Sequence, residues 1–528
     1  METNKVSDVI VYAKANKVAF WCCTVACAAF FLPMIIFGEA LQGVVDSVMF
    51  FITHTTDWIW HIVMFGSLAF VLWLALGRYG KVKLGGPDTK PDFTTFVWFS
   101  TLFCSTTGGG LVYWSMLEPL FYMLWPPFAI EPLSAESAQY ALAYGYFHWG
   151  FSAWAVFAVP ASVFAYSYYV RKQPYLFPSF AFKDTLGVRA SEGWIGKVIN
   201  ALIAFALVGG ITTSLGFIIP MVSRLFSDFA GVPDTLFLKI MICLIITVIY
   251  CISSYVGLKR GIAKLSTWNM YLAIAMVAYF LLAGNPNFSL SLFSDNLGVL
   301  INDYIRMSFY TDPITRSGFP QDWTVFYWAW WLSYAMYLGL FSARISKGRT
   351  LRSLILTMTI SGAVACMFFF TAFGGNIVDA VLNRGIDLGA ILADQGGPAI
   401  VSWAFNDLPG SAILIPAMIF YLIIASATTN DSAAYTLANM VCDEVPQDIE
   451  PQRWNRLYWA GMITIAAIAL MIVGGMRVVQ LSSVFTAIPL LPIIILFAIT
   501  IVKWLRDDFG PGEILVTDKY ENKAKETE

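Results

Sequence analysis

Long apolar stretches alternate with short polar segments along the 528-residue chain. A helix that crosses the hydrocarbon core of a bilayer needs about 20 consecutive, mainly apolar residues. By this measure the pattern predicts an all-α integral membrane protein with about twelve transmembrane helices. The predicted spans cover residues 18–37, 49–77, 94–124, 139–170, 195–224, 235–256, 267–284, 323–343, 353–374, 409–428, 457–474 and 479–502.

Composition excludes the main classes of soluble protein. Apolar residues make up 58% of the chain and charged residues 12%, whereas soluble proteins have about 45–50% and about 25%. A formal net charge of -2 provides no basic field for nucleic acid. Three histidines and eight scattered cysteines show no metal-ligand spacing. We therefore expect neither an enzyme with catalytic residues nor a metal centre, and we expect no nucleic-acid partner.

Basic residues fall in every second loop between the predicted spans, which gives an orientation. Cytoplasmic loops of membrane proteins carry an excess of Lys and Arg, whereas the intervening loop 125–138 has two glutamates and no basic residue. Twelve spans then place both termini, residues 1–17 and 503–528, in the cytoplasm. The basic clusters lie at residues 78–90, 171–189, 259–264 and 344–352.

One loop on the opposite side is long, from residue 285 to 321. Apolar residues recur within it at helical spacing among polar neighbours, which predicts an amphipathic helix. They are Leu297, Leu300, Ile301, Tyr304 and Ile305. Two interpretations are open. The helix lies at the membrane interface, or it packs on the outer face of the protein itself.

A glycine run interrupts the third predicted span. Thr107 is followed by Gly108, Gly109 and Gly110, and each glycine destabilises a helix by about 1 kcal/mol relative to alanine. We predict a helix break that lines a cavity, as in many secondary transporters; close helix packing through small residues is the alternative. Glu118 follows in the same span, and we favour a hydrogen-bonding role for it over proton transfer.

Tryptophan and tyrosine cluster in the fourth and eighth spans. Trp149 and Trp154 lie in the fourth, and Trp330, Tyr334 and Tyr337 share one face of the eighth. A quaternary ammonium group has no N–H to donate, and aromatic faces attract it through their quadrupole. The pattern thus indicates a site for a small onium compound, with core packing or an interfacial aromatic belt as the alternative.

Three motifs closely resemble those of the betaine/choline/carnitine transporter family, and the similarity runs from about residue 20 to 505. The resemblance implies two peripheral helices (18–77), two inverted five-helix repeats (94–284 and 322–502) and alternating access. It also implies a homotrimer in the bacterial inner membrane. The motifs are Phe147-His-Trp-Gly with Trp154, Gly318-Phe-Pro-Gln-Asp-Trp-Thr-Val-Phe-Tyr-Trp-Ala-Trp-Trp, and Ala343-Arg-Ile-Ser-Lys-Gly-Arg-Thr.

The same resemblance implies which residues bind substrate. It is strongest to the branch of the family that exchanges carnitine for γ-butyrobetaine. The implied aromatic box contains Trp149, Trp154 and Trp330 or Trp331, with phenylalanine at two positions where relatives have tyrosine. The further implied residues are Phe121 and Phe157 at those two positions of the box, Tyr334 on the exit path and Tyr337 near the substrate carboxylate.

Departures from the family pattern leave the coupling ion open. Asn269 stands where the carnitine antiporter has an arginine in place of sodium, and the apolar Leu338 stands where it has a methionine. Hydroxyls of Ser482, Ser483 and Thr486 are sodium ligands in one interpretation and ordinary helix hydrogen bonds in the other. We predict a secondary active transporter that exchanges carnitine-type betaines, with sodium-coupled symport of glycine betaine or choline as the alternative.

Overall fold

The computed structural model describes residues 12–107, 109–173, 177–256, 259–442 and 450–510. Most of these residues are helical, and most of the others lie in turns and loops. One pair of two-residue strands, β1 (Tyr12–Ala13) and β2 (Glu450–Pro451), is parallel and pairs Tyr12 with Glu450. The fold is therefore built almost wholly from helices.

Twenty-two α-helices follow one another along the described part of the chain. The first eight are α1 (Lys17–Phe37), α2 (Gln42–Leu76), α3 (Thr95–Thr107), α4 (Gly110–Leu124), α5 (Ala135–His148), α6 (Phe151–Tyr169), α7 (Lys183–Leu186) and α8 (Val188–Ser191). The next eight are α9 (Trp194–Ala230), α10 (Leu236–Val256), α11 (Lys259–Ala283), α12 (Pro286–Ser308), α13 (Val325–Ile345), α14 (Leu351–Leu356), α15 (Gly362–Phe369) and α16 (Gly375–Leu382). The last six are α17 (Leu388–Gln395), α18 (Gly397–Asp407), α19 (Ser411–Met440), α20 (Arg453–Val473), α21 (Met476–Ala487) and α22 (Leu490–Phe509).

Each of the twelve predicted apolar spans coincides with one helix or with consecutive helices. Within the described residues, seven helical stretches are long and apolar enough to cross a membrane, or nine if two bent pairs each count as one crossing. One of the seven joins α1 and α2 over 60 residues, about 90 Å of helix and enough for two crossings. The number of crossings, twelve, remains a prediction.

The outer and inner helices differ in what they bury. Large apolar side chains such as Trp21, Phe51, Phe237 and Ile413 are exposed on the outer helices, as expected of a surface that faces lipid. By contrast, α4, α6 and α13 are buried along almost their whole lengths. Because α13 packs against α6, α9 and α21, it forms the centre of the bundle.

Several predicted spans are irregular. The predicted span 139–170 is two helices, α5 and α6, which meet at Trp149 and Gly150. The predicted span 353–374 lies within α14 to α16, which are joined by two π-helical turns. Such turns often mark functional regions of helices. An apolar stretch alone does not reveal either irregularity.

The predicted amphipathic helix is α12. Leu300 and Met307 are buried against the protein, while Ile301 and Ile305 are exposed. Polar contacts fix the helix to the end of the bundle, because Gln139 donates to Asp295 at 2.8 Å and the Tyr304 hydroxyl lies 2.7 Å from that of Ser152. One face of α12 thus packs on the protein itself, and the other is left apolar and exposed.

The N-terminal segment is attached to the region after α19. The backbone N–H of Asn16 donates to the carbonyl of Val441 at 2.7 Å, and its side chain caps α1 by accepting from Ala19. Residues 1–11 and 511–528 lie outside the described residues. The predicted cytoplasmic location of both termini remains a prediction.

Candidate functional site

Trp149 lies at the junction of α5 and α6. Its backbone N–H donates to the carbonyl of Gly145 at 3.1 Å and caps α5. A Cβ at Gly150 would lie 2.1 Å from the carbonyl oxygen of Tyr146, so glycine is required at this junction. The Trp-Gly pair of the motif is therefore a helix break that directs an indole toward α13.

Three buried indoles meet at this point, and we call Trp149, Trp330 and Trp331 the indole cluster. The ring centroid of Trp149 lies 4.6 Å from that of Trp331 and 5.9 Å from that of Trp330, both edge to face. The Trp330 and Trp331 rings are stacked at 4.8 Å. Phe326 stacks on Trp330 at 5.5 Å. Trp330 therefore lies between two rings, and a cation reaches its face only if one of them moves.

Every N–H of the indole cluster donates to an acceptor of the protein. The acceptors are one carboxylate and two backbone carbonyls, so the polar edge of each indole is fixed and only its π faces and carbon edges remain for a ligand. The pairs are Trp149 with Glu118 Oε1 at 2.6 Å, Trp331 with the His148 carbonyl at 2.8 Å and Trp330 with the Gly210 carbonyl at 3.3 Å.

Glu118 is fully buried and connects the indole cluster to a polar network. Its Oε2 accepts from the Tyr122 hydroxyl at 3.0 Å and lies 3.5 Å from His148 Nδ1. The other ring nitrogen of His148 lies 3.1 Å from the hydroxyl of Thr324 on the segment that enters α13. Glu118 thus acts as a hydrogen-bond acceptor that fixes Trp149, and it couples α4 to α5 and α13.

The third predicted span is interrupted between α3 and α4. Gly108 and the side chain of Thr107 lie outside the described residues. A Cβ at Gly109 would lie 2.5 Å from Leu422 of α19, and one at Gly110 would lie 3.4 Å from the Trp330 ring and 4.0 Å from the Trp149 ring. The interruption therefore lies directly against the indole cluster.

A small cavity lies beside this interruption. Its walls come from α3, α4, α9, α13 and α19. Gly110 contributes to the cavity wall, and a Cβ on it would lie within 4.0 Å of two indoles, so the cavity adjoins the indole cluster. The lining residues are Thr106, Gly109, Gly110, Ser214, Leu215, Ile218, Tyr334, Ser426, Thr429 and Asn430.

Three other residues of the predicted box lie around the cluster rather than in it. Phe157 is 6.1 Å from the Trp331 ring. Trp154 stacks on Phe103 at 5.8 Å and touches Phe157 at the same distance, one ring farther out. Phe121 packs on Trp323 at 4.9 Å, before the start of α13. The helix break at Trp149 explains part of this arrangement, because Trp149 and Trp154 belong to different elements.

Tyr334 and Tyr337 of α13 have different surroundings. The Tyr334 hydroxyl lies 2.6 Å from that of Ser214, and Tyr334 lines the cavity. Tyr337 is buried one turn farther along, with its ring 6.3 Å from Tyr334, and is not among the residues that line the cavity. The structure thus brings Tyr334 next to the indole cluster but not Tyr337.

Comparison with known proteins identifies the family. The family model described as BCCT, betaine/carnitine/choline family transporter, matches residues 18–510. The chain belongs to this family. A solved structure titled as the substrate-bound outward-open state of a Na+-coupled sialic acid symporter is also similar, with a TM-score of 0.41 and 12% identity over 84% of this chain and 86% of that one.

Membership of the BCCT family confirms the broad predictions from the sequence. The protein is a multi-pass, all-α membrane protein and a secondary transporter, not an enzyme. Its substrate is a small molecule and its setting is a membrane. The indole cluster and the adjoining cavity are therefore candidate parts of a transport path.

The predicted sodium ligands of this BCCT transporter form a hydrogen-bonded contact between α9 and α21. We call Gly209, Thr213, Ser482, Ser483 and Thr486 the α9–α21 seam. Each hydroxyl donates to a backbone carbonyl: Ser482 to Gly209 at 3.1 Å, Thr486 to Ser482 at 2.7 Å, Ser483 to Gln480 at 3.1 Å and Thr213 to Gly209 at 2.9 Å. Three of these four bonds are ordinary bonds within one helix, and the bond from Ser482 to Gly209 joins α21 to α9.

Asn269 lies apart from this seam. It is buried on α11, which packs against α3 and α19. Leu338 is buried on α13. The structure does not bring Asn269 and the hydroxyls of the seam into one ligand set.

The site contains features that the sequence analysis did not assign. Tyr327 lies 6.1 Å from Trp149 and 5.9 Å from Trp331, so it adds a fourth aromatic ring to the cluster. Ser426 and Asn430 of α19 line the cavity. Polar residues at positions 426–432 of an otherwise apolar span are a usable signal, since polar groups inside membranes are rare and often functional.

Proposed function

We propose that this transporter binds the trimethylammonium group of a small quaternary-ammonium compound at the indole cluster. The observation that carries the proposal is the meeting of three buried indoles whose N–H groups all donate to the protein. The remaining π faces attract a cation that has no hydrogen to donate. Desolvated contacts of this kind contribute about 2 kcal/mol each, so two or three suffice for a small ligand.

Binding at the indole cluster requires a change in the rings. Their centroids are 4.6 to 5.9 Å apart, so the rings touch one another. A trimethylammonium group enters between them only when they separate. Because the rings come from the α5–α6 junction and from α13, their separation moves one element against another. A ligand that favours the separated state shifts the population toward it, which is the requirement for alternating access.

We propose exchange of carnitine-type and γ-butyrobetaine-type betaines as the mode of transport. Support comes from the α9–α21 seam, in which every described hydroxyl already donates to a backbone carbonyl. The hydroxyl oxygens keep lone pairs that a cation can use, but Asn269 is on α11, apart from them, so the predicted ion ligands do not form one set. Substrate binding by the indoles, in contrast, needs no ion.

We further propose a homotrimer in a bacterial inner membrane with both termini in the cytoplasm. The basic loops support the orientation. The exposed apolar face of α12, with Ile301 and Ile305, is suited to lipid or to a second copy of the chain. Mass measurement of the detergent-solubilised complex tests the trimer, and labelling of single cysteines in the loops tests the orientation.

The decisive experiment is uptake into proteoliposomes that contain the purified protein. Radiolabelled γ-butyrobetaine is added outside liposomes that contain carnitine, glycine betaine, choline or buffer alone, with and without a sodium gradient. Acceleration by internal carnitine together with indifference to sodium is the expected result. Strict dependence on external sodium changes the mode to symport, and no uptake of any quaternary-ammonium compound refutes the proposed substrate class.

A further inference from the structure

A π-helical turn between α15 and α16 lies beside the indole cluster. It runs from Phe370 to Gly374, all of its residues are buried, and we call it the Phe370 turn. The ring centroid of Phe370 lies 6.2 Å from that of Trp149. Turns of this kind are frequent at functional sites of helices. The proposed function assigns no role to this one.

Phe370 packs closely on the last part of α5. A Cβ at Gly145 would lie 2.3 Å from Cε1 and 2.4 Å from Cδ1 of the Phe370 ring, so only glycine fits there. The carbonyl of Gly145 accepts the backbone N–H of Trp149 at 3.1 Å. The next residue of the turn, Thr371, has its hydroxyl 2.8 Å from that of Tyr146. Phe370 therefore presses on the same turn of α5 that holds Trp149.

The Phe370 turn is itself held by other helices. A Cβ at Gly374 would lie 2.8 Å from the carbonyl oxygen of Ser115 on α4. That carbonyl lies four residues before Pro119, which has no N–H to donate to it. Asn376, two residues after the turn, donates to the carbonyl of Phe280 on α11 at 2.9 Å. The turn is thus a fixed support for its aromatic residue.

Phe370 and the indoles of α13 approach Trp149 from different elements. The Phe370 turn packs on α4, α5, α11 and α12, whereas α13 packs chiefly on α6, α9 and α21. On the α13 side the Trp331 ring lies 4.6 Å from that of Trp149. Protein interiors are close-packed, so a buried ring moves only where its neighbours give way. When Trp149 separates from α13, Phe370 is the neighbour that limits its movement.

We propose that Phe370 is a positioning residue that limits the separation of Trp149 from Trp331 and thereby sets the affinity for substrate. This inference depends on the proposed function, in which the onium group binds between separated indoles. A ligand that binds only the separated state has an apparent Kd equal to its intrinsic Kd divided by the fraction of protein in that state. A large side chain at position 370 keeps this fraction low, and the rings stay closed while no substrate is bound.

The test is equilibrium binding of γ-butyrobetaine to the purified full chain. Phe370→Ala gives Trp149 room to move, so binding should become about threefold to tenfold tighter, because a minor state is commonly populated at about 10% or less. Gly145→Ala places a methyl group against the Phe370 ring. Since α4 and α11 hold the Phe370 turn, the displacement falls on α5 and presses Trp149 toward α13. Binding should then weaken by about threefold or more.

The double variant Phe370→Ala/Gly145→Ala removes this overlap, so its affinity should recover relative to that of Gly145→Ala. A residue with a purely structural role would not give single variants with opposite effects on the Kd and recovery in the double variant. Phe370→Leu keeps more of the packing and should tighten binding in the same direction as Phe370→Ala, but less. The melting temperature of each variant in detergent verifies that the fold is kept.

Phe373→Ala is the matched control in the same turn. Phe373 is as fully buried as Phe370, but its ring packs on that of Phe280 at 4.4 Å. The substitution therefore removes similar packing away from the indole cluster. It should lower the melting temperature and leave the Kd within about twofold of that of the unmodified protein.

The outcomes separate this inference from the proposed function. Unchanged or weaker binding in folded Phe370→Ala and Phe370→Leu overturns the role of Phe370 and leaves the indole site standing. The same holds if the double variant binds no better than Gly145→Ala, or if Phe373→Ala tightens binding equally. Failure of the unmodified protein to bind any quaternary-ammonium compound refutes the proposed function, and this inference with it.

Discussion

The cavity beside Gly110 and the α9–α21 seam are both polar regions buried among the helices, but their polar atoms are used differently. In the seam each hydroxyl donates to a backbone carbonyl. In the cavity Asn430 and Ser426 have no hydrogen-bond partner within the described part of the chain. Buried polar groups are normally bonded, so the seam follows the rule and the cavity departs from it.

The difference indicates which hydroxyls serve the fold and which are left for a ligand. A bonded hydroxyl at a helix contact stabilises the contact, and its removal should affect unfolding more than transport. An unbonded group at a cavity gains a partner when a ligand or a water molecule enters the cavity. The same criterion applies to the indole cluster, where the polar edges are bonded and the π faces are the part left for a cation. Variants of the indole cluster and the cavity should therefore affect substrate binding and transport, whereas variants of the seam should affect unfolding.

The largest expected effect on transport comes from substitution of Trp149 in the indole cluster. Trp149→Leu keeps an apolar side chain but removes the π face, so uptake of γ-butyrobetaine into proteoliposomes should fall by about 30-fold or more, equivalent to the loss of one desolvated cation–π contact of about 2 kcal/mol. Trp149→Phe keeps a ring and should retain part of the uptake. The melting temperature in detergent is measured for both.

Trp194 provides the matched control, because its indole is exposed at the start of α9 and lies outside the cluster. Trp194→Leu should transport normally. Normal transport by Trp149→Leu would instead show that the indole cluster is packing, and the distinction between the two regions would fail.

A smaller effect is expected at Glu118, which holds the Trp149 indole. Glu118→Ala leaves the Trp149 N–H and the Tyr122 hydroxyl without their acceptor, so uptake should fall by about tenfold or more through misplacement of the ring. Glu118→Gln retains one acceptor oxygen, so its uptake should fall less than that of Glu118→Ala. Uptake is compared with the Kd for γ-butyrobetaine, and an unchanged Kd in Glu118→Ala would contradict a role in positioning Trp149.

Apolar stretches predicted the locations of the helices because lipid exposure requires continuous apolar surface. They did not predict the break at Gly150, since a glycine in an apolar span is equally compatible with close helix packing. Trp149 and Trp154 belong to one predicted span, but the structure places Trp149 at the junction of α5 and α6 and Trp154 within α6. A sequence pattern gives ring positions only where the helix is unbroken.

The hydrogen-bond partners of the buried polar residues could not be predicted from the sequence either. From the sequence alone, the hydroxyls of Ser482 and Thr486 are suitable sodium ligands. In the structure, α9 approaches α21 so closely at Gly209 that these hydroxyls lie in a contact between the two helices. Asn430 belongs to a polar run like many others, and only the position of α4 and α9 around it creates the cavity. Tertiary packing decides whether a polar side chain finds a hydrogen-bond partner, and the sequence of one span does not contain that information.

Substitutions in the α9–α21 seam are expected to change the stability of the fold. A Cβ at Gly209 would lie 2.1 Å from the Thr486 hydroxyl and 2.6 Å from the Ser482 carbonyl. Gly209→Ala should therefore destabilise the protein by about 1–3 kcal/mol through overpacking, measured as a lower melting temperature in detergent. Gly461→Ala is the control, since a Cβ there meets nothing within 4 Å. Equal melting temperatures for the two variants would contradict close packing at the seam.

The smallest expected effect comes from Thr486→Val, which tests whether the seam also holds an ion. Valine matches threonine in shape and removes a hydroxyl that donates to Ser482 within the same helix, so unfolding should change by about 1 kcal/mol or less. If the seam only stabilises the fold, the response of uptake to a sodium gradient is the same in Thr486→Val and in the unmodified protein. A sodium response that is present in the unmodified protein and lost in this variant would make the hydroxyl an ion ligand. In that case a bonded hydroxyl would not exclude function, and the contrast between seam and cavity would hold only for organic ligands.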